Sequence, residues 1–190
     1  MGGSPWRFLV YFPAIGMAFM LIEIAFIQKF ILFLHHPLYA VSVVLCAFLV
    51  FAGLGSLMTG FLREFISLYR ATMGIGVFAV LYVIFLPALF DGLVHMPIGF
   101  KIAVSVLLIA PLAFLMGMPF PMGLAVVSKR CPNWIPWAWG LNGCASVVSA
   151  ILATLLAIHL GFVFVVIIAV LAYLLALLVS VSGGQGSGQN

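Results

Sequence analysis

Residues 16–37 read GMAFMLIEIAFIQKFILFLHHP, an apolar run of membrane-helix length with one carboxylate, Glu23, inside it. Gln28, Lys29 and a His35-His36-Pro37 corner close the stretch. The whole chain holds only three acidic residues. A carboxylate at membrane depth is costly, so Glu23 requires a structural or a functional reason.

The same apolar character extends along the chain. Of 190 residues, 67% are hydrophobic and 5% charged, and the mean hydropathy is +1.41. Soluble domains carry about 25% charged residues, so this inventory builds no water-facing surface. It divides instead into spans of about 20 apolar residues. The net charge of +4 comes from seven basic residues scattered over several loops. That pattern sets membrane topology and is not a nucleic-acid footprint. Cys46, Cys131 and Cys144 lack any C-x-x-C spacing, so neither a disulfide framework nor a zinc site follows. Arg7 followed by an apolar run has the outline of a signal peptide. The run is too long for one, contains Glu23, and has no small-x-small cleavage site before Lys29, so it reads as a spanning helix.

An all-α integral membrane bundle of six transmembrane helices is expected, with spans at 8–34, 38–62, 71–90, 98–118, 137–160 and 162–181. Residues 183–190 are a low-complexity, disordered tail. Pro13 falls in the first turns of its helix, where a missing N–H matters least. Pro37 ends that helix, because the residue before a proline resists helical geometry. Ala52, Ser56 and Gly60 recur every fourth residue, a small-residue stripe that invites a closely packed helix. A polar link at 63–70 and a turn at 91–97 flank the third span. The fourth runs into Gly117-Met118-Pro119-Phe120-Pro121-Met122-Gly123, where two prolines and two glycines should interrupt it. Residues 124–127 are too short to span, which predicts a broken or re-entrant segment after the fourth helix. The alternative is a kink that turns the chain back. A loop at 128–136 leads to the fifth span, whose small residues Ala145, Ser149, Ala153 and Ala157 share a face. Trp134, Trp137 and Trp139 read as an interfacial anchor.

An even number of spans puts both termini on one side, with Arg7, Arg63, Arg70, Lys129 and Arg130. Only Lys29 and Lys101 fall on the other. By the positive-inside rule both termini are cytoplasmic. Glu23 then lies about 22 Å along its helix, in the outer half of a core about 30 Å thick. Lys29 is turned about 120° away from it, so Lys101 and His159 are the better partners. Glu23, Gln28, Lys101 and His159 form a candidate membrane polar site. Its functional reading is a proton or cation relay, or a site for an amine. Its structural reading is a protonated carboxyl within a helix–helix contact. Asn142, in the inner half, is a candidate partner for carbonyls freed by Pro119 and Pro121. Adjacent helical residues diverge by about 100°, so His35 and His36 do not share a metal. An outer set of His35, His36, His95 and His159 leaves a weaker metal or haem alternative. No catalytic residue, metal ligand or cofactor is assigned.

Four stretches carry a family resemblance: YFPAIGMAFMLIEIAFIQKFILFLHHPLYAVSVVL, GLGS, GMPFPMGL and WAWGLNGCASVVSAILATLLAIHLGF. In that order they resemble the C-terminal membrane region of bacterial polytopic spermidine-synthase-like proteins, over residues 8–162. The resemblance marks Glu23, Gln28, Pro37, Gly53, Gly55, Pro119, Pro121, Asn142 and Gly143 as motif positions. It implies a bacterial cytoplasmic membrane, and a cytosolic aminopropyltransferase-like domain as partner to the helices. These residues contain no βαβ pattern or Gly-rich turn after a strand, so no aminopropyltransferase chemistry is expected from them. The expected role is a non-catalytic membrane domain that anchors or partners such an enzyme in a polyamine context. The alternative is a small transporter or channel domain for a proton, cation or amine, using Glu23.

Overall fold

A computed structural model describes residues 6–62 and 64–181. Arg63 and the tail expected to be disordered, 183–190, lie outside the described residues. Among the described residues every regular element is helical: α1 (Trp6–Leu34), α2 (Pro37–Leu62), α3 (Leu68–Gly92), α4 (Ile98–Met116), α5 (Pro119–Arg130) and α6 (Ile135–Val181), with a 3₁₀ turn at Pro132–Trp134. Five helical stretches are long and apolar enough to cross a membrane: Trp6–Leu34, Pro37–Leu62, Leu68–Gly92, Ile98–Arg130 and Pro132–Ser180.

α1 is the axis of the bundle and packs against α2, α4, α5 and α6. Half of its most apolar window (50%) is buried, against 22% for α2 and for α3. Phe26 is its hub. The Phe26 ring meets Phe48 of α2 at 5.7 Å, Tyr82 of α3 at 5.7 Å and Phe162 of α6 at 5.8 Å. Further along, Phe33 stacks on Phe90 at 4.1 Å. Tilted and edge-on rings of this kind each add about 0.5–1.5 kcal/mol beyond their burial. The outward faces are equally apolar, with Phe61 84% and Leu57 76% exposed. Such side chains suit hydrocarbon, not water.

Several local expectations change. α1 begins at Trp6, so Pro13 stands inside the helix and not in its first turns. Only residues 64–67 separate α2 from α3 among those described, because the Ser67 hydroxyl accepts the Arg70 N–H at 3.3 Å and starts α3 early. The sequence 117–123 does not form a re-entrant loop. Gly117 (φ −72°, ψ −17°) and Met118 (φ −81°, ψ −39°) keep right-handed geometry, and α5 restarts at once. Pro119 and Pro121 fall in its first turn, where no intrahelical N–H is required. α5 then continues through Lys129 and Arg130, cations that favour a helix C-terminus, so the expected loop at 128–136 shrinks to the short link before α6.

The stripe in α2 also reads differently. Ser56 is exposed, and a β-carbon on Gly60 would meet nothing. The close approach is made by Gly55 and Gly117. A β-carbon on Gly55 would run into the Phe114 carbonyl, and one on Gly117 into the Ala52 carbonyl. Each helix thus offers a carbonyl and, three residues on, a glycine to its neighbour. The α6 stripe does pack, with Ser149 and Ala153 buried.

α6 leaves helical geometry once, at Gly161 (φ 82°, ψ 171°). Asn142 lies against Gly16 of α1, Phe162 against Phe26, and Val179 and Ser180 share a cavity with Arg7 and Phe8. The arm of residues 135–160 therefore climbs along α1, and the arm of residues 162–181 returns down it.

Candidate functional site

Three polar regions lie along this axis. The first surrounds Glu23, two turns beyond Gly16. Gly16 leaves room for the facing arm of α6, since a β-carbon there would stand 2.6 Å from the Asn142 carbonyl oxygen, 2.7 Å from Asn142 Oδ1 and 3.0 Å from Ser146 Oγ. Asn142, Ser146 and Ser149 form a polar row on that arm. The Ser146 hydroxyl donates to the Asn142 carbonyl at 2.8 Å, and the Ser149 hydroxyl to the Ser146 carbonyl at 3.0 Å. Since the two helices climb together, Ser149, seven residues past Asn142, reaches about the height of Glu23, seven residues past Gly16. Glu23 is 3% exposed. Among the described residues no hydrogen bond or ion pair to its carboxyl is found.

The expected partners are elsewhere. Lys101 is 4% exposed, but its ammonium donates to the Phe33 carbonyl at 3.4 Å and sits 5.4 Å from the Phe33 ring centre. It caps the C-terminal end of α1, where carbonyls lack partners and the helix dipole favours a cation. His159 is exposed. Gln28 is half-buried, and Lys29 lies 5.9 Å from the Phe162 ring centre. Of Glu23, Gln28, Lys101 and His159, only Glu23 and Lys101 are buried, and the contacts found for Lys101 go to Phe33.

The second region is the join of α4 and α5. Here the partner is Tyr11, not Asn142. The Tyr11 hydroxyl donates to the Pro119 carbonyl at 2.7 Å, and its ring fills the space where a Gly123 β-carbon would stand. Asn142 faces Gly16 instead. Tyr82 does the same near Pro111, donating to the Leu108 carbonyl. In both places a phenol donates to a helix carbonyl near a proline, and Pro111, inside α4, is the one that removes a rung of the ladder. A Tyr in an apolar helix looks like any other aromatic, so only its position in a proline-rich bundle hinted at this role.

The third region is a cavity of about 510 Å³ at the end where α1 begins, α2 ends, α3 begins, α5 ends and α6 ends. Arg7 and Arg130 stand in its wall with the hydroxyls of Ser56 and Ser67. Lys101, Phe33 and Phe90 meet at the opposite end of α1. Among the described residues no group of three or more His, Cys, Asp and Glu side chains could hold a metal ion.

Long apolar helices around a buried axis, with apolar outward faces, define an integral membrane helix bundle in contact with lipid. No protein-family model, curated protein or solved structure matches the chain.

Proposed function

We propose that this chain is the membrane half of a spermidine-synthase-like protein of the bacterial cytoplasmic membrane. It crosses six times, with a Pro/Gly break after the fourth crossing and both ends in the cytoplasm. It performs no chemistry itself and holds a cytosolic aminopropyltransferase-like domain, in the same polypeptide or a separate one, at the membrane surface. The observation that supports it is the gathering of Arg7, Ser67, Arg130 and Ser180 around one cavity at one end of the bundle. That end carries the basic residues, the helix starts and the helix ends that would face an enzyme domain. The reversal at Gly161 supports the sixth crossing.

The test is co-expression with a spermidine-synthase-like domain encoded in the same genome. The enzyme should sediment with membranes only when the chain is present. An enzyme that stays soluble in both cases refutes the anchoring role. Orientation is checked separately at Cys131, a half-exposed thiol just beyond Arg130. An impermeant maleimide should reach it in inverted vesicles and not in intact cells.

A second reading is transport of a proton, cation or amine. It is favoured by Glu23, buried on the central helix at about the height of Ser149 and without a hydrogen-bond partner among the described residues. Proteoliposomes should then show a flux that Glu23→Gln abolishes. Absence of flux, or an equal flux in the variant, removes this reading.

A further inference from the structure

The cavity at the basic end has a composition that neither role requires. Two of the seven basic residues of the chain meet in its wall, from helices distant in sequence. Arg7 is half-buried at the start of α1, and Arg130 is exposed at the last residue of α5. Ser67 caps α3, a helix of 25 residues, so the positive end of that dipole also borders the space. Among the described residues no acidic side chain lines it. Ser56, Thr59 and Ser180 add hydroxyls, and Phe8, Ile66, Leu68, Met122 and Val126 give an apolar part of the wall. The wall therefore has two chemistries, two arginines with hydroxyls and a group of apolar side chains. Its volume lies within the range of about 300–1,000 Å³ typical of small-molecule sites.

We infer that this cavity binds the phosphate head of an anionic phospholipid, with part of an acyl chain along its apolar wall. A free phosphate would use the arginines and leave the oily wall unoccupied. A zwitterionic lipid would bring a choline or ethanolamine cation against Arg7 and Arg130. An anionic phospholipid alone matches both, and basic pockets between membrane helices commonly take such headgroups. The cavity lies at the height of one leaflet's headgroups if the bundle spans a membrane. The inference rests on that membrane reading and not on the anchoring or transport role.

The test uses the purified chain in neutral detergent, where orientation in a membrane does not enter. Binding of dioleoylphosphatidylglycerol is measured by native mass spectrometry and by the rise in melting temperature. Saturable binding is expected, weakened about fivefold by Arg7→Gln and about fivefold by Arg130→Gln. Lys129→Gln, which removes a neighbouring charge outside the cavity wall, should leave binding unchanged. Gly60→Trp projects a bulky ring from a residue of the cavity wall whose β-carbon meets nothing, so it should block binding with both arginines present. Dioleoylphosphatidylcholine should bind at least about fivefold more weakly, and inorganic phosphate should not displace the lipid. Equal binding of the two lipids overturns the inference. So does a Lys129→Gln effect as large as that of Arg130→Gln, which would mean surface charge alone, or displacement by phosphate, which would mean a free-anion site. A folded Gly60→Trp variant that still binds the lipid also overturns it.

Discussion

The Tyr11 hydroxyl donates to the Pro119 carbonyl at 2.7 Å, which fastens the central helix to the first residue of α5. The contact needs Gly123, because the Tyr11 ring takes the space of its missing side chain. Tyr11→Phe should cost about 1 kcal/mol, the usual net value of one hydrogen bond. Gly123→Ala should cost about 1–3 kcal/mol through overpacking. Reversible unfolding in mixed micelles measures both, and unchanged midpoints would show that this clamp holds nothing.

Gly55 and Gly117 approach the partner backbone reciprocally, so their effects should be alike. Alanine at either would push α2 and α4 apart and cost about 1–3 kcal/mol. Gly60→Ala serves as the control, since its β-carbon enters open space. It should be neutral, or stabilising by up to about 1 kcal/mol from helix propensity. Loss of stability equal to that of Gly55→Ala would contradict the crossing described here.

Lys101 and Glu23 should behave as independent residues. Lys101→Met keeps an unbranched chain but loses the Phe33 carbonyl, at a cost of about 1 kcal/mol. In a double-mutant cycle with Glu23→Gln, the coupling should stay below about 0.5 kcal/mol. A coupling well above that would place the two charges together after all.

His35 has φ of 57°, in the left-handed region, at the end of α1. Glycine is the usual residue at such a helix terminus because it has no side chain to clash. His35→Gly should therefore stabilise the fold by up to about 1 kcal/mol. A thermal melt that falls on substitution would show that the His35 side chain contributes more than its backbone strain costs.

The spans were legible because hydropathy acts over 20 residues at a time, and local detail cannot erase it. The departure from helical geometry at Gly161 was legible for a similar reason, since a 47-residue apolar run exceeds one membrane crossing. Contacts between helices were harder to read. A repeat of small residues shows that some helix approaches closely, but not which glycine it meets, so Ser56 and Gly60 drew attention that belonged to Gly55. Glu23 stood out by its charge and is buried. Its partners were judged by depth alone, which does not reveal that the Phe33 carbonyl at the end of α1 attracts Lys101. Asn142 was credited with a task that Tyr11 performs, because polarity is easier to see in a sequence than the reach of a phenol.

Gly161 also bears on how the chain enters a bilayer. Between Ile135 and Val181 there is no Asp, Glu, Lys or Arg, so no charged loop marks where one arm of α6 ends and the next begins. Insertion machinery that sorts segments by their flanking charges receives no instruction there. In the six-crossing arrangement proposed above, the two arms would enter as one folded hairpin, and the decision to turn would belong to a single residue able to adopt φ of 82°. A β-carbon at that residue would favour an unbroken rod too long for the membrane, and the C-terminal end would emerge on the opposite face.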